Sequence, residues 1–254
     1  MQSTPTARIR LSPQRDTSKY HGHLWVFDGQ VAEVSGSPAA GDVVDVFSAR
    51  KQFLGRGFYN PNSKIRVRLL TFREEPLDEA FFAARLQTAV ALRRIVAPGT
   101  TACRLVYGES DLLPGLVVDR FGNTAVMQVL GYGMDLRKEL LGDLLLQEGG
   151  VEHVYLRNDA KSRTLEGLPL GKGFLRGSCD TTIKIREGSA RFLVDIAEGQ
   201  KTGWFCDQRD NRHQLARYCA PWVGVLGHLK GIKSPPQHAQ RRLERRHAVL
   251  EIAV

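Results

Sequence analysis

The first 73 residues break into short apolar runs separated by turn-forming clusters, the pattern of a chain of β-strands. Leu24 to Val34 (LWVFDGQVAEV) is strand-rich and closes at Ser35-Gly36-Ser37-Pro38. Gly41 to Phe47 and Phe53 to Tyr59 are the next predicted strands, the second with glycines at 55 and 57. From Lys64 to Leu69 the period is two: Lys64, Arg66 and Arg68 fall on one face, Ile65, Val67 and Leu69 on the other. A small β-barrel or sandwich with one cationic strand face is expected.

After Pro76 the period lengthens. Phe82, Leu86, Ala89, Leu92 and Val96 recur at spacings of three and four, which predicts a helix over Pro76–Val96 ended by Pro98-Gly99. Strands are predicted at Cys103–Tyr107, Leu116–Asp119 and Thr124–Leu130. A second helix, about Asp135–Gln147, carries Leu136, Leu140 and Leu144 on one stripe and stops at Gly149-Gly150. Val151–Leu156 and Arg191–Ile196 read as further strands, and Gln208–Tyr218 as helical. Residues 74–197 therefore form a mixed α/β domain by pattern, and no internal repeat or low-complexity tract interrupts it.

Charge sharpens this division. Residues 1–73 carry eleven Lys and Arg against five acids, whereas 74–197 carry fifteen against seventeen, within a chain of net charge +9. A small domain with such a surplus attracts polyanions, of which nucleic-acid phosphates are the common kind; a merely solvated basic face is the alternative. Cys103, Cys179, Cys206 and Cys219 show no CxxC spacing, so neither a metal site nor a disulfide framework follows. No apolar run reaches membrane-span length, and MQSTPTARIR has no signal-like apolar stretch, so a cytoplasmic protein is expected.

Several clusters carry candidate chemistry. In GQKTGWFCDQRDNR (199–212), glycines 199 and 203 flank Lys201 and Thr202, and Asp207, Gln208 and Arg209 offer an acceptor, an amide and a donor fork. The same residues suit a turn followed by a helix capped by Asp207. Glu109, Asp111, Asp119 and Arg120 surround a Pro-Gly turn, where acid/base work and capping are both open. Arg157, Asn158, Asp159, Lys161 and Arg163 form a polar cluster, either a nucleic-acid loop or a solvated turn. Trp25 and Phe27, beside His21 and His23, are candidate stacking groups for unpaired bases, or core residues.

The order of HLWVFDGQV (23–31), LVYGESDLLPGLVVDRFG (105–122), YLRNDAKSRTLEGL (155–168) and GQKTGWFCDQRDNR (199–212) resembles the bacterial SAM-dependent methyltransferases acting on C5 of a cytosine in large-subunit ribosomal RNA. The resemblance runs over about residues 6–222. It implies an α+β multidomain fold: a PUA-like RNA-binding barrel over 1–73, a central α/β domain over 74–197, and from 198 to 254 only the beginning of a Rossmann-like methyltransferase domain. It implies S-adenosyl-L-methionine as cofactor and ribosomal RNA as partner. Lys201, Thr202, Gln208 and Arg209 become candidate cofactor contacts, and Trp25, Arg56, Lys64, Arg66 and Arg68 candidate RNA contacts. Family chemistry uses a cysteine thiolate that attacks C6 of a flipped-out cytosine. No cysteine here matches that nucleophile, and 223–254 contain no strand ending in an acid before a Gly-rich loop. A truncated or frame-shifted homologue is therefore expected, with a non-catalytic RNA-binding module as the alternative; no catalytic or metal-binding residue is assigned.

Overall fold

A computed structural model describes residues 4–13 and 23–215. The expected helix over Gln208–Tyr218 is seen over 209–215, and its last residues lie outside the described part. So do His21, Cys219 and the tail from about residue 223.

The N-terminal sheet has six strands: β1 (Ala7–Leu11), β2 (Trp25–Phe27), β3 (Val31–Ser35), β4 (Val43–Phe47), β5 (Phe53–Tyr59) and β6 (Ile65–Thr71). Their order is β2-β6-β5-β4-β1-β3, antiparallel except for the β1/β4 pair. Ile9, Leu11, Val26, Val44, Val46 and Val67 fill its interior. In β5, Gly57 is required by close approach: a Cβ there would stand 2.0 Å from the Arg68 carbonyl oxygen.

Helix α1 (Glu79–Val96) begins later than its pattern predicts, because the Asp78 carboxylate accepts a hydrogen bond from the Phe81 amide at 3.0 Å and caps it. A five-stranded sheet follows, in the order β11-β10-β9-β8-β7, from β7 (Ala102–Tyr107), β8 (Leu116–Phe121), β9 (Thr124–Val129), β10 (His153–Asn158) and β11 (Gly171–Arg176). The predicted second helix is two pieces, α2 (Tyr132–Asp135) and α3 (Lys138–Glu148). Between them the buried Arg137 guanidinium sits 4.1 Å over the Phe58 ring and donates to the Gly133 carbonyl at 2.9 Å. Leu136 thus lies against Gly41 rather than on the stripe with Leu140 and Leu144.

The period of two decides what covers each face of this sheet. Ala125, Met127 and Val129 face α1 and α3, whereas Val126, with Phe121 and Tyr155, faces the hairpin of β12 (Thr182–Glu187) and β13 (Ala190–Asp195). The helix-side core also contains Val43, Phe58 and Leu70 of the first sheet, so one core crosses residue 73. Among the described residues, no helix is long and apolar enough to cross a membrane.

Phe82 lies fully buried in the shared core, against Phe58 and Phe81. Phe82→Ala is expected to lower unfolding free energy by about 3–5 kcal/mol. Denaturant melts followed by far-ultraviolet dichroism should shift as one transition, since both sheets share this core.

Candidate nucleic-acid interface

A groove of about 580 Å3 opens between the first sheet and the central domain. Ile65 supplies apolar lining from β6, and Val117 and Leu130 supply it from β8 and the end of β9. Trp25, Arg68, Lys64 and Leu165 stand around it, Leu165 with 73% of its surface exposed. Gly115 of the Pro114-Gly115 turn also lines it. Gly115 has φ +83°, and a Cβ there would meet the Gly131 amide nitrogen at 3.1 Å.

Trp25 is half-buried while its neighbours Leu24 and Val26 enter the core, as alternation along a strand requires. Its indole Nε1 donates to Glu109 Oε1 at 2.8 Å, and His23 and Phe27 lie edge-on to it with centroids 6.2 Å away. The Arg68 guanidinium lies 5.6 Å from the Trp25 ring centroid. It donates to Glu166 Oε1 at 2.9 Å and stands 3.7 Å from Glu109 Oε1. Glu166 also accepts from Ser63 Oγ at 2.6 Å and Asn60 Nδ2 at 3.1 Å. Two carboxylates therefore offset the groove's cations, and the half-buried indole is its distinctive feature.

The cationic face expected along β6 is unevenly presented. Lys64 is exposed; Arg66 is half-buried, bonded to the Pro61 and Asn60 carbonyls and 6.0 Å from the Tyr59 ring. Arg56, the fifth of the candidate RNA contacts, is not exposed. It is buried on β5, paired through Nε with Asp45 Oδ1 at 2.7 Å and through Nη1 with the Glu75 carbonyl at 2.5 Å. Its donors are consumed inside the sheet.

The segment after β13 is held by buried polar contacts. Thr202 is fully buried, and its hydroxyl donates to Asp119 Oδ2 at 2.6 Å, with Arg104 on the same carboxylate at 2.9 and 3.0 Å. The Thr202 hydroxyl is thus engaged inside the fold. Arg157 Nη1 donates to the Ile196 and Gly199 carbonyls at 2.8 and 3.0 Å. Arg212 grips the buried Glu187 through two nitrogens, at 2.6 and 2.8 Å, and lies 4.4 Å over Trp204, whose Nε1 also donates to Glu187 at 3.0 Å. Arg209 is spent on Asp210 at 3.1 Å and the Val96 carbonyl at 3.5 Å. Lys201 and Gln208 are exposed, Lys201 lying over Phe205 at 4.7 Å and Gln208 accepting from Asn211 at 2.7 Å. Asp207 caps no helix; it lies exposed within a single 3-10 turn, Cys206–Gln208. Of the four candidate cofactor contacts, Lys201 and Gln208 are exposed, whereas Thr202 and Arg209 are engaged by other residues of the chain.

Asp111 accepts Arg93 through both oxygens at 2.6 and 2.7 Å. In the polar cluster that begins at the end of β10, Arg157, Asn158 and Arg163 are buried rather than solvated, Arg163 against Asp135 at 2.9 Å and Asn158 accepting from the Val129 amide at 2.8 Å. Glu166 and Glu187 organise the two regions, and neither stands out in the sequence, although Glu166 falls within the 155–168 motif; only the fold brings them to their partners. Burial raises the pKa of the Cys103 thiol and pushes that of Cys206 well above the ordinary thiol range. Among the described residues, no group of three His, Cys, Asp or Glu is placed to hold a metal.

Comparison with known proteins agrees with this architecture. A family model for a PUA-like domain matches residues 9–72, and that part of the chain is a PUA-like domain. Over 216 residues the chain is 42% identical to "Ribosomal RNA large subunit methyltransferase I" of Alteromonas mediterranea, covering 84% of this chain and 54% of that protein. The protein of the same name from Shewanella amazonensis is 41% identical over 232 residues, covering 87% and 59%. The chain thus spans little more than half the length of the curated relatives it matches. A Streptococcus mutans protein described as a SAM-dependent methyltransferase superposes with a TM-score of 0.67 at 18% identity, over 83% of this chain and 54% of that one. A second solved structure, described as a methyltransferase complexed with SAH, gives 0.69 at 19%, over 83% and 53%. The mixed α and β fold, with its PUA-like N-terminal domain, is one shared with methyltransferases.

Two outcomes follow. Arg212→Met leaves Glu187 buried without its cation and is expected to cost about 3–5 kcal/mol, read as a lower Tm and a red-shifted Trp204 emission. Pairing it with Glu187→Gln should restore part of the loss. For Cys206, the thiol stays protonated in the fold, so mass-mapped alkylation at pH 8 should leave it unmodified until denaturant is added. Because the folded value lies above the unfolded one, its contribution to stability is present below the ordinary thiol range and declines as pH rises through and beyond it.

Proposed function

We propose that the described residues form the RNA-holding part of a SAM-dependent methyltransferase acting on C5 of a cytosine in large-subunit ribosomal RNA. The observation that carries this reading is the groove beside the PUA-like domain, where a half-buried indole stands at a cleft of about 580 Å3. An unpaired base stacks on Trp25, while Lys64 and the partly exposed edges of Arg66 and Arg68 meet its phosphates. The relatives' names, which specify large-subunit ribosomal RNA, support the substrate class. We place domain limits at 1–73, 74–197 and 198–254, and the protein in the cytoplasm.

S-adenosyl-L-methionine is the methyl donor of the whole enzyme in this reading. Lys201 and Gln208 remain open to a ligand at the edge of residues 199–212, but the 254-residue chain by itself is catalytically incomplete. No cysteine matches the nucleophile, and 223–254 contain no acid-led Gly-rich loop. A second reading, a non-catalytic RNA-binding module, is supported by the PUA-like domain and the central domain packed against it.

Gel-shift titration with unmodified large-subunit ribosomal RNA fragments tests the reading. Binding should weaken as salt rises, and Trp25→Ala should weaken it by about 1–3 kcal/mol. With labelled S-adenosyl-L-methionine, the chain should transfer no methyl group. Salt-independent binding, or tight S-adenosyl-L-methionine binding by this chain, would overturn the proposal.

A further inference from the structure

The β12–β13 hairpin has two unlike faces. Ile185, Phe192 and Val194 are buried against the central sheet. The register sets Lys184 opposite Leu193 and Arg186 opposite Arg191, and all four are exposed on the other face. Like charges directly opposite one another on antiparallel strands repel, so the Arg186/Arg191 pair works against the hairpin it sits on. Arg186 Nη1 is anchored to the Gly99 and Gly188 carbonyls at 3.2 Å each, which fixes the guanidinium beside the turn. Asp195, the carboxylate on this face, turns its Oδ1 onto the Ala197 and Glu198 amides at 2.9 Å. The cations of the face are therefore uncompensated by it. His213 lies against the turn at Gly188.

We propose that this outer hairpin face is a second RNA-contact surface, on which Lys184, Arg186 and Arg191 meet backbone phosphates outside the PUA-like domain. A phosphate placed between the two guanidinium groups replaces their repulsion with two charge-assisted contacts. The face suits a phosphodiester chain better than an acidic protein, because Leu193 is its one large apolar side chain and protein interfaces are built around an apolar or aromatic centre. The inference rests on the proposed RNA-holding role but uses different residues.

The test is the full 254-residue chain carrying Lys184→Gln and Arg191→Gln, titrated with an unmodified large-subunit ribosomal RNA fragment across a salt series. Arg94→Gln, which removes a charge from the exposed flank of α1, is the control. Affinity at low salt should fall on the order of tenfold in the double variant, and the slope of log K against log salt should flatten by about 1–2. Its Tm should stay level or rise, since a repulsion has been removed. The control should match the unaltered chain. An unchanged slope in the double variant, with the unaltered chain still binding, sinks the hairpin proposal alone. Absence of RNA binding by the unaltered chain sinks it together with the functional reading. A lowered Tm, an equal loss in the control, or stronger binding to polyglutamate than to RNA would each overturn it.

Discussion

Phe82 stacks on Phe58 with ring centroids 6.4 Å apart and planes only 13° from parallel. One ring belongs to α1 and the other to β5, so this contact fixes the first sheet against the helix layer of the second. Everything at the groove depends on it, because Trp25 and Ile65 come from one sheet and Val117 and Leu130 from the other side. A domain that hung on a flexible linker would present the same residues without a defined cleft. Here the apolar core is continuous across the boundary that charge and pattern draw at residue 73. The two units differ in composition but are packed as one body of side chains.

Around that core, buried carboxylates set the register of distant segments. Asp119 on β8 takes Arg104 and Thr202, Glu187 on β12 takes Arg212 and Trp204, and Glu166 takes Arg68, Ser63 and Asn60. Each such cluster costs desolvation, and hydrophobic replacements often match or exceed its stability. What it supplies is position: a carboxylate with several directional donors tolerates little displacement of any of them. The segment 199–212 therefore has an assigned place against the hairpin, held through Thr202, Trp204 and Arg212.

Much of the fold was legible because strands with one buried face write their period into the sequence. β5 runs over the predicted Phe53–Tyr59, and the later sheet strands fall within a residue or two of their predicted limits. Two strands that the same reasoning passed over carry the same signal. Ala7, Ile9 and Leu11 alternate with Arg8 and Arg10 in β1, and Ile183 and Ile185 with Lys184 and Arg186 in β12. β11 is different: with Gly171 and Gly173 and no buried residue, it is an edge strand defined by its pairing to β10. The candidate sites were less legible for a physical reason. Thr202 meets Asp119 across 83 positions and Arg68 meets Glu166 across 98, so local chemistry cannot tell a ligand contact from an internal bond. Arg56 illustrates the same limit, since alternation placed a charge on the strand but could not show Asp45 waiting opposite it.

Glu109 has a further consequence for how such a surface reads a polymer. By holding the Trp25 indole nitrogen while standing close to Arg68, it leaves the cleft almost electrically silent. In the proposed reading, discrimination at the cleft is then a matter of flat shapes and fit, and adhesive strength comes from Lys64 at its rim together with basic residues elsewhere. Part of the grip can then vary without spoiling recognition, because it sits on a patch away from the indole.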